Sequence, residues 1–192
     1  MTGISDVDLG GRTVLALVTN YGVEQDELVV PVQHLRDRGA TVEIAAQQRD
    51  DVVTLVGDKD PGQRVTPSTT IDAVDASGYD LLLLPGGSIN ADTLRLDQRA
   101  VAITKAFAEA GKPIAAICHA PWTLIEAGAV EGKRLTSYAS LQTDLRNAGG
   151  DWADEAVVVD DTRGFALITS RDPGDLDAFT GAIDQVLVST SV

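Results

Sequence analysis

Sulfur is nearly absent from this chain: its 192 residues hold one cysteine, Cys118, and one methionine, Met1. A lone cysteine cannot close an internal disulfide, so nothing here requires an oxidising compartment, and a free thiol persists most easily in a reducing one. Positive charge is also scarce. Fifteen Lys and Arg stand against 29 Asp and Glu, a formal net charge of −14, and only four of the cations are lysines (Lys59, Lys105, Lys112, Lys133). No basic stripe or aromatic–basic alternation offsets that balance, which argues against nucleic acid as a partner. The acidic excess reads as a solvated surface, since net charge speaks to solubility and association and not to fold. No apolar run approaches membrane-spanning length, and Met1 to Gly10 lack both the basic segment and the apolar core of a secretory signal. The expectation is a soluble, cytoplasmic protein without a membrane partner. Residues 1–10 are expected as a flexible N-terminal segment and residues 11–192 as a single domain. With two histidines, His34 and His119, and one cysteine, no cluster of metal-ligand type can be assembled from those residues, and no metal or other cofactor is expected.

What is present alternates between aliphatic runs and amphipathic stretches. Thr13 to Thr19 reads as a strand, followed by a helical stretch to Arg38, a stop at Gly39 and a second strand from Thr41 to Ala46. Pro31 lies inside the helical spacing of Leu28, Val32 and Leu35, which predicts a kinked helix. Val52 to Val56 reads as an edge strand, with Asp58 to Gly62 and Thr66-Pro67-Ser68 as loops. Leu81 to Leu84 is a buried strand running into Pro85-Gly86-Gly87, and a helix from Asp97 to Ala110, closed by Gly111, leads to the strand Ile114 to Ile117. A short helix to Ala127, a strand at Arg134 to Thr136, a helix over Leu141 to Ala148 and the strands Ala156 to Val159 and Phe165 to Thr169 come next. Asp172-Pro173 starts the last helix, whose buried stripe is Leu176, Phe179, Ile183 and Leu187. This alternation predicts a three-layer α/β/α sandwich on a mostly parallel sheet, with a ligand site outside the carboxyl ends of the strands. Three groups fall at such ends: Glu24 and Glu27, Gly86 and Gly87, and Cys118.

Cys118 follows an apolar strand and precedes a histidine and small residues, the pattern of a strand that turns sharply on a nucleophile. A helix start there lowers a thiol pKa, and the amide of His119 with those of Gly86 and Gly87 can form an oxyanion hole. The plainer alternative is an inert, buried small hydrophobe. His119 needs an acid to hold its tautomer; Asp92 is the nearest candidate by topology, and it serves equally well as the cap of a helix beginning at Thr93. Glu27 is either an exposed helix acid or a desolvated, protonated carboxyl able to hydrogen-bond the sulfur. His34 reads as an ordinary, partly exposed helix histidine.

Ala116-Ile117-Cys118-His119-Ala120-Pro121, Leu124-Ile125, Ala127-Gly128, Gly132, Thr136-Ser137-Tyr138, Asp144 and Asn147-Ala148-Gly149 follow one another in an order that resembles the PfpI intracellular-protease branch of the ThiJ/PfpI superfamily. Glu24 to Pro31, Leu84-Pro85-Gly86-Gly87 and Ser170-Arg171-Asp172-Pro173 extend the likeness, which covers roughly Thr13 to Val188. It implies a flavodoxin-like, class I glutamine amidotransferase-like fold with Cys118 as nucleophile, His119 beside it, Glu27 contacting the thiol and Tyr138 lining the pocket. It also implies an acid contributed by a neighbouring subunit at Asp92, where the family carries glutamate, and hence a homodimer or a hexamer with the site completed between subunits. Ala120 stands where the family commonly has glycine. Activities associated with the family are peptide hydrolysis, glyoxalase III-type conversion of methylglyoxal, repair of glycated groups and stress protection through cysteine oxidation. Three readings follow: a cysteine-dependent hydrolase acting on a small carbonyl, glycated or peptide substrate; a redox sensor using Cys118; and, less favoured because no histidine follows His119, a glutaminase.

Overall fold

The structure is a computed structural model, described here for residues 7–190. The chain runs β1 (Thr13–Leu17), β2 (Tyr21–Glu24), α1 (Gln25–Asp37), β3 (Thr41–Ala46), β4 (Val52–Val56), β5 (Asp60–Val65), β6 (Thr69–Thr70) and β7 (Leu81–Leu84). It continues with α2 (Ser88–Leu94), α3 (Gln98–Glu109), β8 (Ile114–Ile117), α4 (Pro121–Glu126), β9 (Arg134–Leu135) and α5 (Gln142–Asn147). The last elements are β10 (Asp151–Trp152), β11 (Val157–Asp160), β12 (Leu167–Ser170) and α6 (Leu176–Ser189). No helix among the described residues is long and apolar enough to cross a membrane.

A seven-stranded sheet in the order β11-β12-β8-β7-β1-β3-β6 forms the middle layer. Every neighbour pair in it is parallel except β11 with β12. The aliphatic runs have a direct physical reason: the central strands are covered on both faces, so neither phase of the alternation can be polar. Val14, Ala16, Leu81, Leu83, Ala115 and Ile117 pack under α1 and α6, while Leu15, Leu17, Leu82, Leu84, Ile114 and Ala116 belong to the core beneath α3, α4 and α5. Strand order reverses at β1, which pairs with β3 on one side and β7 on the other, and that reversal opens the crevice where such folds place ligands.

The structure departs from the sequence reading locally, as at Tyr21–Glu24, which is a strand and not part of the helical stretch. Val52 to Val56 is not an edge strand; β4 is the middle of a separate three-stranded sheet, β2-β4-β5, and part of the stretch read as loop is its edge strand β5. Pro61 and Gly62 in β5 disguise it, and an outer strand is where a proline is tolerated. The last helix is preceded by a 3₁₀ turn, Pro173–Asp175, capped by Asp172 through the Gly174 amide at 2.8 Å. Of the N-terminal segment, residues 1–6 lie outside the described residues; Leu9 is buried, and its amide donates to the Arg38 carbonyl.

Lys133 is the most buried cation among the described residues, 1% exposed. Its Nζ donates to the carbonyls of Asp160, Thr162 and Phe165, sits 3.6 Å from Asp160 Oδ1 and lies 4.0 Å from the centre of the Phe165 ring. Burial pulls its pKa down, and Asp160 opposes that pull. It fastens the turn between β11 and β12. Lys133→Met takes the ammonium donor from three carbonyls and the counter-charge from a mostly buried carboxylate, and is expected to cost about 3 kcal/mol, read from urea unfolding.

Candidate functional site

The carboxyl ends of β7 and β8 and the start of α1 converge on one cavity of about 420 Å³, lined by Glu24, Glu27, Gly57, Asp58, Ser88, Cys118, His119, Tyr138, Asp172 and Pro173. Cys118 follows directly on β8 with φ +63°, a left-handed conformation that costs a non-glycine residue roughly 1–2 kcal/mol. The strain is held in place by neighbours on both sides: the Cys118 amide donates to the Ser170 carbonyl at 3.0 Å and its carbonyl accepts from the Tyr138 amide at 2.9 Å. So fixed, the side chain leaves the sheet and faces the cavity, only 5% exposed.

Glu27 is fully buried because α1 turns Glu27, Leu28, Pro31, Val32 and Leu35 inward, which puts an acid on the apolar stripe. Helix α1 continues through Pro31 as one element. Gly86 N–H donates to Glu27 Oε2 at 2.9 Å, whereas Oε1 has no nitrogen or oxygen partner. Desolvation pushes the Glu27 pKa from 4.5 up to about 8, against the lowering effect of hydrogen bonds from Cys118 and Gly86. The carboxyl is therefore protonated at neutral pH and available to the sulfur. Because the folded form holds this proton to about pH 8 while the unfolded form releases it near 4.5, folding binds a proton between those values. The associated stability is present at low pH and lost as pH rises through 8. Glu27→Gln is expected to remove that downward slope, seen as a thermal midpoint that changes less between pH 5 and 8 than in the parent protein.

The thiol itself departs from expectation. A helix start lowers a cysteine pKa, yet at Cys118 burial outweighs it and pushes the thiol up, while the Gly87 and His119 amides pull it back. The charge of Glu27 adds to the rise only once that carboxyl has lost its own proton. Cys118 and Glu27 thus titrate as one coupled pair, each protonated at neutral pH and the loss of either proton making the other harder to lose.

His119 Nδ1 lies 3.1 Å from Cys118 Sγ, and its Nε2 is 3.5 Å from Ser140 Oγ. The ring stacks on Tyr138, with centroids 4.7 Å apart and planes 26° from parallel, and meets Trp122 at 5.4 Å. Burial lowers its pKa, with the Asp58 charge acting in the opposite sense, so the ring is neutral at neutral pH.

The predicted residues do not all come together. Cys118, His119, Glu27 and Tyr138 line the cavity, and the Gly87 amide faces the sulfur. Gly86 needs correction: its N–H is committed to Glu27 and is no oxyanion donor. What Gly86 supplies is room, since a Cβ there would lie 2.5 Å from Glu27 Oε2 and 2.7 Å from Cys118 Cβ. Asp92 is not a cap, because α2 begins at Ser88 with Asn90, Ala91 and Leu94 turned inward; Asp92 is exposed and lies outside the cavity of its own chain. His34 is tied to α6 through Asp184 Oδ2 at 2.9 Å. The residues that sequence reasoning missed are Asp58, Ser88 and Ser140. Only Asp58 left a signal, as an acid at a turn of the kind that tolerates left-handed backbone. Among the described residues no group of three or more His, Cys, Asp or Glu side chains is placed to hold a metal ion.

With this geometry in hand, comparison with known proteins is informative. The chain matches the DJ-1/PfpI family over residues 12–185. It is 39% identical over 158 residues to deglycase TK1284 of Thermococcus kodakarensis, an alignment covering 82% of this chain and 89% of the relative. It is likewise 39% identical over 165 residues to general stress protein 18 of Bacillus subtilis, covering 86% and 92% of the two chains. The crystal structure of DJ-1beta from Drosophila melanogaster superposes with a TM-score of 0.81 at 30% identity, covering 93% of this chain and 91% of the other. A family match over nearly the whole chain, relatives aligned along most of their length and the same flavodoxin-like architecture lead to one statement: the chain belongs to the DJ-1/PfpI family.

Proposed function

We propose that the protein is a cysteine-dependent hydrolase or deglycase-like enzyme in which Cys118 attacks a small carbonyl compound, a glycated group or an acyl group. The observation that carries this reading is the Cys118 sulfur, held on a strained turn 3.1 Å from a neutral His119 and facing the Gly87 and His119 amides. The thiol proton passes to His119, and the sulfur bonds to the substrate carbonyl carbon. The carbonyl π pair moves to oxygen, which the amides of Gly87 and His119 stabilise. With a 1,2-dicarbonyl, a proton then moves from the thiol-bearing carbon to its neighbour by way of Glu27 or His119, giving a hydroxyacyl thioester. Water cleaves the C–S bond, releases a hydroxy acid and returns the thiol, so the balance is the addition of one water with no external oxidant. With an acyl substrate the same alkoxide collapses with loss of amine or alcohol before water frees the acid. The similarity to a protein named a deglycase supports the glycated-substrate branch.

The test is turnover of methylglyoxal, a methylglyoxal-modified peptide and a small peptide ester, before and after one equivalent of iodoacetamide. Because Cys118 is the only thiol, stoichiometric alkylation should abolish turnover. No turnover on any of the three, or full activity after alkylation, would sink the proposal. Asp92 enters only through a second copy of the chain, since its exposed position on α2 is outside its own cavity. If a subunit interface supplies it, dilution to monomer lowers activity and Asp92→Asn does the same.

A second reading, a redox sensor, is favoured by the protonated Glu27 next to the sulfur, which can donate a hydrogen bond to a sulfinate, and by the likeness to a protein named for stress. Dilute peroxide followed by intact mass and peptide mapping tests it. Oxygen added at Cys118 supports it, and oxygen added at Met1 alone removes it.

A further inference from the structure

We infer that Asp58 is a charge-selecting residue of the Cys118 cavity, favouring substrates with a positive charge beside the reacting carbon and excluding anionic ones. This rests on the proposed attack by Cys118 for its meaning in catalysis, though not for its test.

Asp58 sits at the tip between β4 and β5 with φ +57°. Two anchors hold it at the cavity that Cys118 also lines. Glu24 accepts the Gly57 and Asp58 amides on its two oxygens, each at 3.0 Å, and Asp58 Oδ1 accepts the Ser88 amide at 2.8 Å. A carboxylate so pinned cannot swing away into solvent. Glu24 and Asp172 line the same cavity, whereas no lysine or arginine does. The nearby cations offer no offset: Arg171, next to Asp172, is engaged by Asp154 and Asp175 at 2.8 Å each, and Lys59 is exposed outside the lining. The charge of Asp58 is felt across the cavity: it works against the burial that lowers the His119 pKa and adds a little to the burial that raises that of Glu27. The independent sign of a ligand is Glu27 itself, fully buried and lining the cavity, with Oε1 free of any nitrogen or oxygen partner and, in the protonated carboxyl, able to donate to an oxygen of whatever binds there. The pinned Asp58 carboxylate, with Glu24 and Asp172 beside it and no cationic lining, points to an ammonium or guanidinium near the carbonyl.

The single thiol makes the idea directly measurable. Methanethiosulfonates carrying a trimethylammonium or a sulfonate group both transfer their alkylthio group to Cys118: the thiolate attacks the sulfenyl sulfur, a disulfide forms, and the S–SO₂ bond breaks with its electron pair leaving as methanesulfinate. Rates are expressed relative to those of 2-mercaptoethanol. In the parent protein the cationic reagent should be favoured over the anionic one by about tenfold, the size expected when the Asp58, Glu24 and Asp172 carboxylates act together on the cavity through a well-screened path. Asp58→Asn, which keeps a residue tolerant of the left-handed turn, should lower that ratio by about threefold. Asp58→Lys should invert it. Asp177→Asn, an exposed acid on α6, controls for net charge and should leave the ratio unchanged at physiological ionic strength, where distant charges are screened. An unchanged ratio in Asp58→Asn, or an equal fall in Asp177→Asn, overturns the inference. The two proposals fail separately: a ratio that shifts in a protein with no carbonyl turnover keeps the charge filter and removes the enzyme, and turnover with an immovable ratio does the reverse.

Discussion

Cys118→Ala is expected to lower kcat/KM on the best of the three substrate types by about 10⁴-fold or more, because every later step runs through the carbon–sulfur bond. Residual catalysis would come from the amides of Gly87 and His119 acting on a water. The same position makes an unusual stability prediction. At φ +63° an alanine retains the backbone strain and a glycine releases it. Cys118→Gly is therefore expected to be more stable than Cys118→Ala by about 1 kcal/mol, the reverse of the usual order of these residues. Urea unfolding of the two inactive variants measures this. If alanine is the more stable, the turn is not strained by its side chain and its rigidity must come from the clamps at Ser170 and Tyr138 alone.

Gly87→Ala carries the largest expected effect on the fold. At Gly87, φ is +87°, and a Cβ would lie 2.3 Å from the Gly22 carbonyl oxygen and 2.6 Å from the Glu24 amide nitrogen. Both obstacles are backbone atoms of β2, so neither can rotate aside. The variant must move β2 or the turn after β7, at a cost of about 4 kcal/mol or more. For a chain of this length that lowers the thermal midpoint by roughly 10 °C. It also carries the Gly87 amide away from the sulfur, so whatever protein remains folded should alkylate more slowly at Cys118. Gly181 in α6 is the control: a Cβ there meets nothing within 4 Å, and alanine should be neutral or stabilising by up to about 1 kcal/mol. A Gly87→Ala protein as stable as the parent would show that β2 yields easily and that the turn is not fixed by it.

The parts of the molecule legible in the sequence are those whose physics is local. Strands β1, β7 and β8 announce themselves because burial on both faces forces unbroken aliphatic runs, and the elbow is visible as the place where β8 ends on a cysteine. Glu27 is open in the sequence between an exposed helix acid and a desolvated one; the packing of α1 decides for burial, and the carboxyl's hold on the Gly86 amide is not legible at all. That bond depends on a loop nearly sixty residues away in the chain. Strands β2 and β5 escape notice because Tyr21 is exposed and Pro61 breaks the strand pattern; only their pairing with β4 makes them a sheet. Asp58 acquires a role only when that small sheet folds over the elbow, and the direction of the Gly86 N–H cannot be read from a glycine pair. For Asp92 the sequence offered a chain position, whereas the geometry of α2 decides which way it faces.

Cys118 and the hairpin tip that shares its cavity belong to different sheets. Cys118, with its clamps and its two amides, is built on the seven-stranded layer, while Gly57 and Asp58 are the tip of a hairpin in the three-stranded one. On the proposed reading the β4–β5 tip sets which molecules reach the sulfur, and hairpins of other charge that keep its bonds to Glu24 and Ser88 are expected to change selectivity before they change reactivity.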